Sequence, residues 1–426
     1  MTTTHSDPPS SARARVSRHV QGLRPKPWGS LRLPPGCTLR SLGDPDSSDA
    51  VTRWLRQSPD HTLYHLPPYL DFTRTQNGGA DVFLISREGN ALFALTVHSW
   101  SEAGIDSGYS GIVFPATSRE GPLRRSVAAL AALFELNRHI PFHIRQSAQA
   151  AAYENLGRVT LLQQLIESEG LALDPIYARL CELEHLGAPR EIPVSAGRHP
   201  SALALDAGWL TGESLRAYDP DARNQIRQAI RHGLTVEYVR TADSTARADA
   251  YMRFQPLHEE SWRRTGLLAK PRHYWPQMSE ALAASGGEDL VVLVLDGDGE
   301  PLAGVLCHIY QSRAIYWSGC SSSRGLSSRA NPLCLHGAIA ACRRQGVGVF
   351  ELGRARADES SSKERRVNSY KAQFGGSLVR VTCFSSTPSL LARARAARSE
   401  AVFESKRRLA VALARTRAAH PRKRTP

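Results

Sequence analysis

The stretch Asn368–Gly376 (NSYKAQFGG) sets Lys371 among aromatic residues just ahead of a Gly-Gly pair, after a strand at Val347–Leu352 and a polar loop at Asp358–Arg366. An ammonium held against apolar surface is unfavourable unless an anion meets it. Lys371 therefore suits the stabilisation of developing oxyanion charge or the binding of phosphate, with Tyr370 beside it. Snorkelling of the lysine to solvent is the alternative that the residue types leave open. A second constellation is Arg223, Arg227 and Arg231, spaced i, i+4 and i+8 on one helix face. Three guanidiniums in a row make either a ladder for phosphates and carboxylates or an ordinary solvated face. The third is the loop Ser321–Arg329 (SSSRGLSSR), which carries Arg324 and Arg329 and opens onto a helix at Asn331-Pro332. The unpaired N–H groups of a helix start favour an anion there, although a plain polar connection fits the same residues.

Other chemistries find little support. Arg343–Gly348 (RRQGVG) fits the R-x-x-G-x-G pattern of acetyl-CoA pyrophosphate loops. Its glycines end a helix and begin a strand, the reverse of what that loop needs, so Gly346 reads as a helix C-cap. No G-x-S-x-G, P-loop, H-E-x-x-H or EF-hand pattern occurs, and His258, His308 and His336 fall in element interiors. Covalent catalysis is not indicated. The seven cysteines (37, 181, 307, 320, 334, 342 and 383) are widely spaced without a zinc-type pair, which points to a reducing compartment and no structural metal. No cofactor is expected beyond the donor substrate.

The elements that must position these residues can be read from periodicity. Residues 1–35 are rich in Ser, Pro and Arg and read as an unstructured basic arm. A strand at CTLRSL (37–42), a helix near 49–57, a hairpin of 81–86 and 91–98 about a Gly89-Asn90 turn, a glycine-rich stretch at 104–111, a helix at 122–138 and a strand at 142–145 follow. The second half repeats the order. Asp219-Pro220 starts a helix that Gly233 ends, with Ala222, Ile226, Ala229 and Ile230 on one face. Then come a strand at 234–239, helices at 244–265 and 274–284, strands at 290–295, 301–310 and 314–320, a helix at 332–345 and the strand before Lys371. The fold class expected is α+β, two tandem units with mixed sheets: a first domain over 36–200, a second over 201–386, and a basic Ala/Arg/Leu helix and tail over 387–426.

Charge follows the same division. The 426 residues carry 54 Lys+Arg and 40 Asp+Glu, a formal +14. Residues 1–40 hold seven basic side chains against one acid, and 391–426 hold eleven against two, which leaves 36 basic and 37 acidic side chains between them. A nucleic-acid-binding protein without catalysis would carry its basic residues on the fold, so a near-neutral body disfavours that class. No apolar h-region opens the chain, and the longest nearly apolar stretch, Val127–Leu136, is half a bilayer crossing. A soluble cytoplasmic protein is expected, with basic tails that could also make weak contact with anionic membrane.

Four segments in order resemble the FemABX family: HTLYHLPPYLDFTR (61–74); Arg223-x-x-Ile226-Arg227-x-Ala229 with Gly233; LAGVLCHIY through NPLCLHGAIAACRRQG (302–346); and FELG (350–353) leading to Y-K-x-x-F-G-G (370–376). The last is the most specific. The resemblance implies a duplicated GNAT-like fold and transfer of an aminoacyl group from aminoacyl-tRNA to an amine of a cell-wall precursor or small peptide-like metabolite. It implies Lys371 and Tyr370 as catalytic residues, with Phe374 shaping the pocket and Arg223 and Arg227 facing carrier or acceptor phosphates. Tyr69 stands where the family commonly has Trp, and Arg74 supplies the nearby basic residue. Arg324, Arg329 and Asn331, from the loop and helix start read above, complete the candidate binding set. The same architecture also serves acyl-CoA, but the loop before the 332–345 helix reads SSSRGLSSRAN rather than R-x-x-G-x-G, which favours tRNA as donor.

Overall fold

A computed structural model describes residues 31–77, 80–98, 105–106, 111–140, 142–146, 148, 153, 155–183, 192–198, 202–240, 244–356, 362–386 and 405. The arm up to residue 30, most of the glycine-rich stretch and the C-terminal helix expected at 389–418, apart from residue 405, lie outside them. The first unit contains β1 (Cys37–Ser41), α1 (Pro45–Gln57), α2 (Pro67–Asn77), β2 (Ala80–Arg87), β3 (Asn90–His98), β4 (Ile105–Asp106), β5 (Ile112–Val113), α3 (Glu120–Leu136), β6 (Phe142–Arg145) and α4 (Leu156–Ser168). Helix α1 starts earlier than its apolar face suggests, because the Asp44 carboxylate accepts from Asp46 N–H and Pro45 fits the first helical position. In the β2–β3 hairpin Glu88 (φ 51°) and Gly89 (φ 77°) are both left-handed and Arg87 pairs with Asn90, a type I′ turn one residue earlier than expected.

After β7 (Ile176–Glu182), β8 (Val194–Ala196), β9 (Leu203–Leu205) and the short α5 (Ala207–Thr211), the second unit runs α6 (Pro220–Arg231), β10 (Thr235–Arg240), α7 (Ser244–Arg264), α8 (Tyr274–Ala284), β11 (Gly287–Leu295), β12 (Pro301–Tyr310) and β13 (Arg313–Ser321). It ends with α9 (Ser323–Ser327), α10 (Ala330–Arg344), β14 (Val349–Arg356), α11 (Ser362–Ala372), β15 (Ser377–Arg380) and β16 (Cys383–Ser385). Two expectations are corrected here. The Ser/Arg connection contains α9, begun by the Ser322 hydroxyl accepting from Gly325 N–H. The polar stretch before Lys371 is α11 from Ser362 onward, so Lys371 lies in the last turn of a helix.

The nine-stranded sheet has the order β15-β7-β14-β13-β12-β11-β10-β9-β8, and the other runs β1-β2-β3-β4-β6-β16 with β5 on β3. The units therefore exchange strands: β7, which precedes residue 200, sits between β14 and β15, while β16 from the chain's end pairs with β6. A division at 200/201 consequently separates the helices of the two units but not their sheets. One face of the large sheet buries Leu290, Val292, Cys307, Leu335 and Ile339 under α6 and α10. Its other face buries Phe254, Trp275, Met278 and Leu306 under α7 and α8, where Tyr64, Tyr69 and Phe72 of the first unit join them. The small sheet packs Phe93, Leu130, Phe142 and Phe384 against α3 and α4.

Candidate active site

Strands β13 and β14 run parallel but pair over only three residues, Arg313–Ile315 against Val349–Glu351. Beyond that point β13 continues along β12, while β14 follows β7 and shifts register between Glu351 and Arg354. Gly353 (φ 82°) lies within that irregularity, a conformation that L side chains rarely adopt. A Cβ there would stand 3.3 Å from Lys371 Nζ. The two strands diverge where Lys371 arrives.

Lys371 Nζ donates to the Arg354 carbonyl at 3.0 Å, and the side chain is half-buried rather than extended to solvent. Burial brings its pKa down to about 8, with the carboxylate of buried Glu351 opposing the fall and the guanidiniums of Arg179 and Arg354 adding to it. The helix C-terminus favours the cation. Tyr370 donates to the Asn331 carbonyl at 3.2 Å and meets Phe374 edge-on at 5.4 Å, and burial raises its phenol well above the ordinary value. Phe374 also meets Tyr218 at 5.2 Å.

The turn after Lys371 is fixed by the exchanged strand. Arg179 donates to the carbonyls of Gly375 (3.1 Å) and Gly376 (2.9 Å). A side chain at Gly376 (φ 80°) would come within 2.5 Å of the Leu180 carbonyl, so only glycine permits this approach. The start of α6 is tied to the same turn by Asp219 N–H donating to the Gln373 carbonyl at 2.9 Å. That bond brings Arg223, in the first turn of α6, to the Lys371 segment, while Arg227 lies one turn further; both are half-buried and Arg231 is exposed.

Tyr370, Phe374 and Asn331 thus meet, while the neighbouring Lys371 turns its ammonium to the Arg354 carbonyl and the Gly353 position, and α6 is tied to the same segment through Asp219. The other expected residues are placed elsewhere. Tyr69 is buried in the aromatic cluster, 5.0 Å from Tyr64 and 5.7 Å from Phe72. Arg74 pairs with Asp71 (2.5 Å) and Asp81 (3.4 Å) and donates to the Ala80 carbonyl, which ties α2 to β2. Arg324 pairs with Asp296 at 2.7 Å, and Arg329 is exposed in a left-handed conformation (φ 63°) at the start of α10. An anion does meet the Ser/Arg loop, but it is internal. The Glu260 carboxylate of α7 accepts from Ser323 N–H (2.6 Å) and Oγ (2.7 Å), bonds that hold its pKa below the usual carboxylate range.

A cleft of about 660 Å³ opens between the two sheets, lined by His143 and Arg145 of β6, Asp174, Arg354, whose carbonyl accepts from Lys371, and Glu364 and Asn368 of α11. Glu364, Asn368 and Lys371 stand four and three residues apart and share a helix face. Sequence reasoning missed this cleft and the partners Arg354, Gly353 and Glu260. Only FELG (350–353) hinted at one of them.

Residues 220–371 match the family model of the acetyltransferase (GNAT) domain. The chain is an acyltransferase of the GNAT fold. No curated protein matches it. Among solved structures it is similar to FemX, at 13% identity with 82% of this chain and 97% of that one covered and a TM-score of 0.49. It is also similar to the C-terminal domain of a putative lysylphosphatidylglycerol synthetase from Agrobacterium fabrum (14%, 82% and 96%, 0.48). A third is a tandem GNAT protein from the clavulanic acid biosynthesis pathway (12%, 83% and 99%, 0.44). In GNAT terms, α6 through α11 supply the domain that matches, and Lys371 is the last residue of the match.

Proposed function

We propose that this GNAT-fold enzyme transfers an aminoacyl group from aminoacyl-tRNA to an amine of a cell-wall precursor or small peptide-like metabolite. The observation that carries the reading is the Lys371 ammonium, half-buried at the Gly353 irregularity and bonded to the carbonyl of Arg354, a residue that lines the cleft. An activated ester needs no covalent step on the protein: holding ester and amine together and stabilising the oxyanion as the amine attacks are sufficient. Lys371 supplies that charge, Tyr370 and Phe374 form the wall behind it, and Arg223 and Arg227 meet phosphates of the donor or acceptor. The cleft, with both cationic and carboxylate side chains, suits an acceptor bearing an amine and an acid group. The connection into α10 reads SSSRGLSSRAN rather than R-x-x-G-x-G, and Glu260 takes up the Ser323 amide and hydroxyl within it, which supports tRNA over acyl-CoA as donor.

An acyl-CoA-dependent N-acyltransferase is the second reading, favoured by the GNAT match and by the parting of β13 and β14. Incubating the protein with candidate amines and a charged tRNA pool, with and without ribonuclease, separates them. Product that disappears with ribonuclease is expected; product that survives ribonuclease and requires acyl-CoA overturns the tRNA reading.

A further inference from the structure

The loop joining α7 to α8 is built unlike the rest of the near-neutral body. Residues 263–273 (RRTGLLAKPRH) contain four Lys/Arg and no acid. Leu267 and Leu268 are 37% and 49% exposed at its tip, next to Gly266 (φ 72°), and the Leu267 N–H returns to the Trp262 carbonyl at 2.8 Å. Arg263 and Arg272 are exposed on either side. The leucines are held outward by a closed turn.

The α9 segment lies against this loop and has the same character. Glu260 of α7 accepts from Ser323, and Arg264 donates to the Ser321 carbonyl at 3.2 Å. Ser261 and Ser321 exchange two further bonds, Ser321 N–H to Ser261 Oγ at 2.8 Å and Ser261 Oγ–H to the Ser321 carbonyl at 2.9 Å. Beyond these staples α9 presents Leu326 at 42% exposure, with Arg324 and Arg329 exposed around it. The two segments carry six cations and no acid; Arg264 pairs with Glu260 of α7 and Arg324 with Asp296, whose turn also carries exposed Asp298 and Glu300.

We propose that Leu267, Leu268 and Leu326, ringed by Arg263, Arg272 and Arg329, form a docking surface for an anionic lipid bilayer. Exposed aliphatic side chains are unfavourable in water and gain by entering the boundary between headgroups and acyl chains, while the surrounding cations meet the headgroup phosphates. A single-stranded nucleic acid would be served by exposed aromatic rings for its bases to stack on. Here Trp262 is half-buried and Tyr274 buried, and what is exposed is aliphatic. The surface stands at the carboxyl end of β13, the end of the sheet at which Asn331 meets Tyr370. It is distinct from the basic tails, and it is compatible with either acyl donor.

Flotation of the full-length protein at physiological salt, with vesicles of phosphatidylcholine alone or of equal parts phosphatidylcholine and phosphatidylglycerol, tests this. The protein is expected to float with the anionic vesicles only. Leu267→Asn with Leu268→Asn should weaken partitioning at least about tenfold, since two aliphatic anchors are lost. Arg263→Gln with Arg272→Gln should weaken it about fivefold per cation and flatten its salt dependence. Leu268→Trp, which keeps an anchor in place, should strengthen it severalfold. Unchanged partitioning in the leucine double variant, with normal thermal unfolding, overturns the proposal. So does a loss of binding to bulk tRNA, with vesicle binding retained, in that same variant.

Discussion

At the scale of the residue, Lys371 carries a cost that its position explains. A pKa near 8 against an ordinary 10.5 corresponds to about 3 kcal/mol in favour of the neutral amine. Between those values the unfolded chain binds the proton and the native one does not, so this contribution to stability rises with pH from about 8 to 10.5 and its full cost is present below 8. The role proposed for Lys371 needs the opposite form. We expect turnover to fall as pH rises through about 8, and Lys371→Arg to move that limb upward; a pH–rate profile of the two proteins checks it. Lys371→Ala should fold normally and lose on the order of 10²-fold in turnover, the scale of one oxyanion donor. Gly353→Ala tests the position rather than the charge. Its left-handed φ strains any side chain by about 1–3 kcal/mol, and its Cβ would crowd Nζ from 3.3 Å. Turnover should drop about tenfold or more with the lysine intact, a size that single-turnover kinetics resolves.

At the scale of the element, exchange of β7 and β16 makes each unit a component of the other's sheet. The Lys371 turn is held by Arg179 of β7, so the second unit's site depends on a strand that precedes its own helices. Phe384 of β16 is fully buried in the first unit's core, 5.9 Å from Phe134. Phe384→Ala should therefore cost about 3–5 kcal/mol and loosen a unit remote in sequence. Equilibrium denaturation followed by probes in each unit should show coincident transitions that shift together; separate transitions would mean that the exchanged strands do not couple the units. Periodicity revealed the repeated strand and helix order, because each element's buried face is local. Exchange was not legible, since a strand buried in a neighbour's sheet has the same alternation as one buried in its own.

At the scale of the whole molecule, three buried histidines set an acid limit. Burial brings His258 to about 4 and His308 and His336 to about 3, so each stays neutral in the native state while the unfolded chain protonates near 6.5. The stability they confer is complete above 6.5 and is lost as pH falls toward 4 and 3. At pH 5 the loss is about 2 kcal/mol for each. Denaturant midpoints should decline steeply between pH 6.5 and 5, and less steeply in His336→Asn. Charge is also a property of the whole. Removing 1–35 and 419–426 should weaken binding of a polyanionic donor more than turnover and flatten its salt dependence, measured as KM against ionic strength. Among the described residues no helix is long and apolar enough to cross a membrane.

The sequence by itself determined the α+β class, the tandem order and the near-neutral body between basic ends, and it singled out the Y-K-x-x-F-G-G segment. These follow from residue type and short spacing, which act over a few positions of chain. Tertiary structure alone decided which distant groups meet them: the Arg354 carbonyl and Gly353 under the lysine, Arg179 under its turn, Asn331 behind Tyr370, and the cleft between the sheets. It also withdrew residues that looked available, giving Arg324 to Asp296, Arg74 to Asp71 and Asp81, and the Ser323 amide to Glu260. The physical reason is shared. A charge's function depends on its partner, and no partner from another strand or helix is written in the spacing of the residues around it.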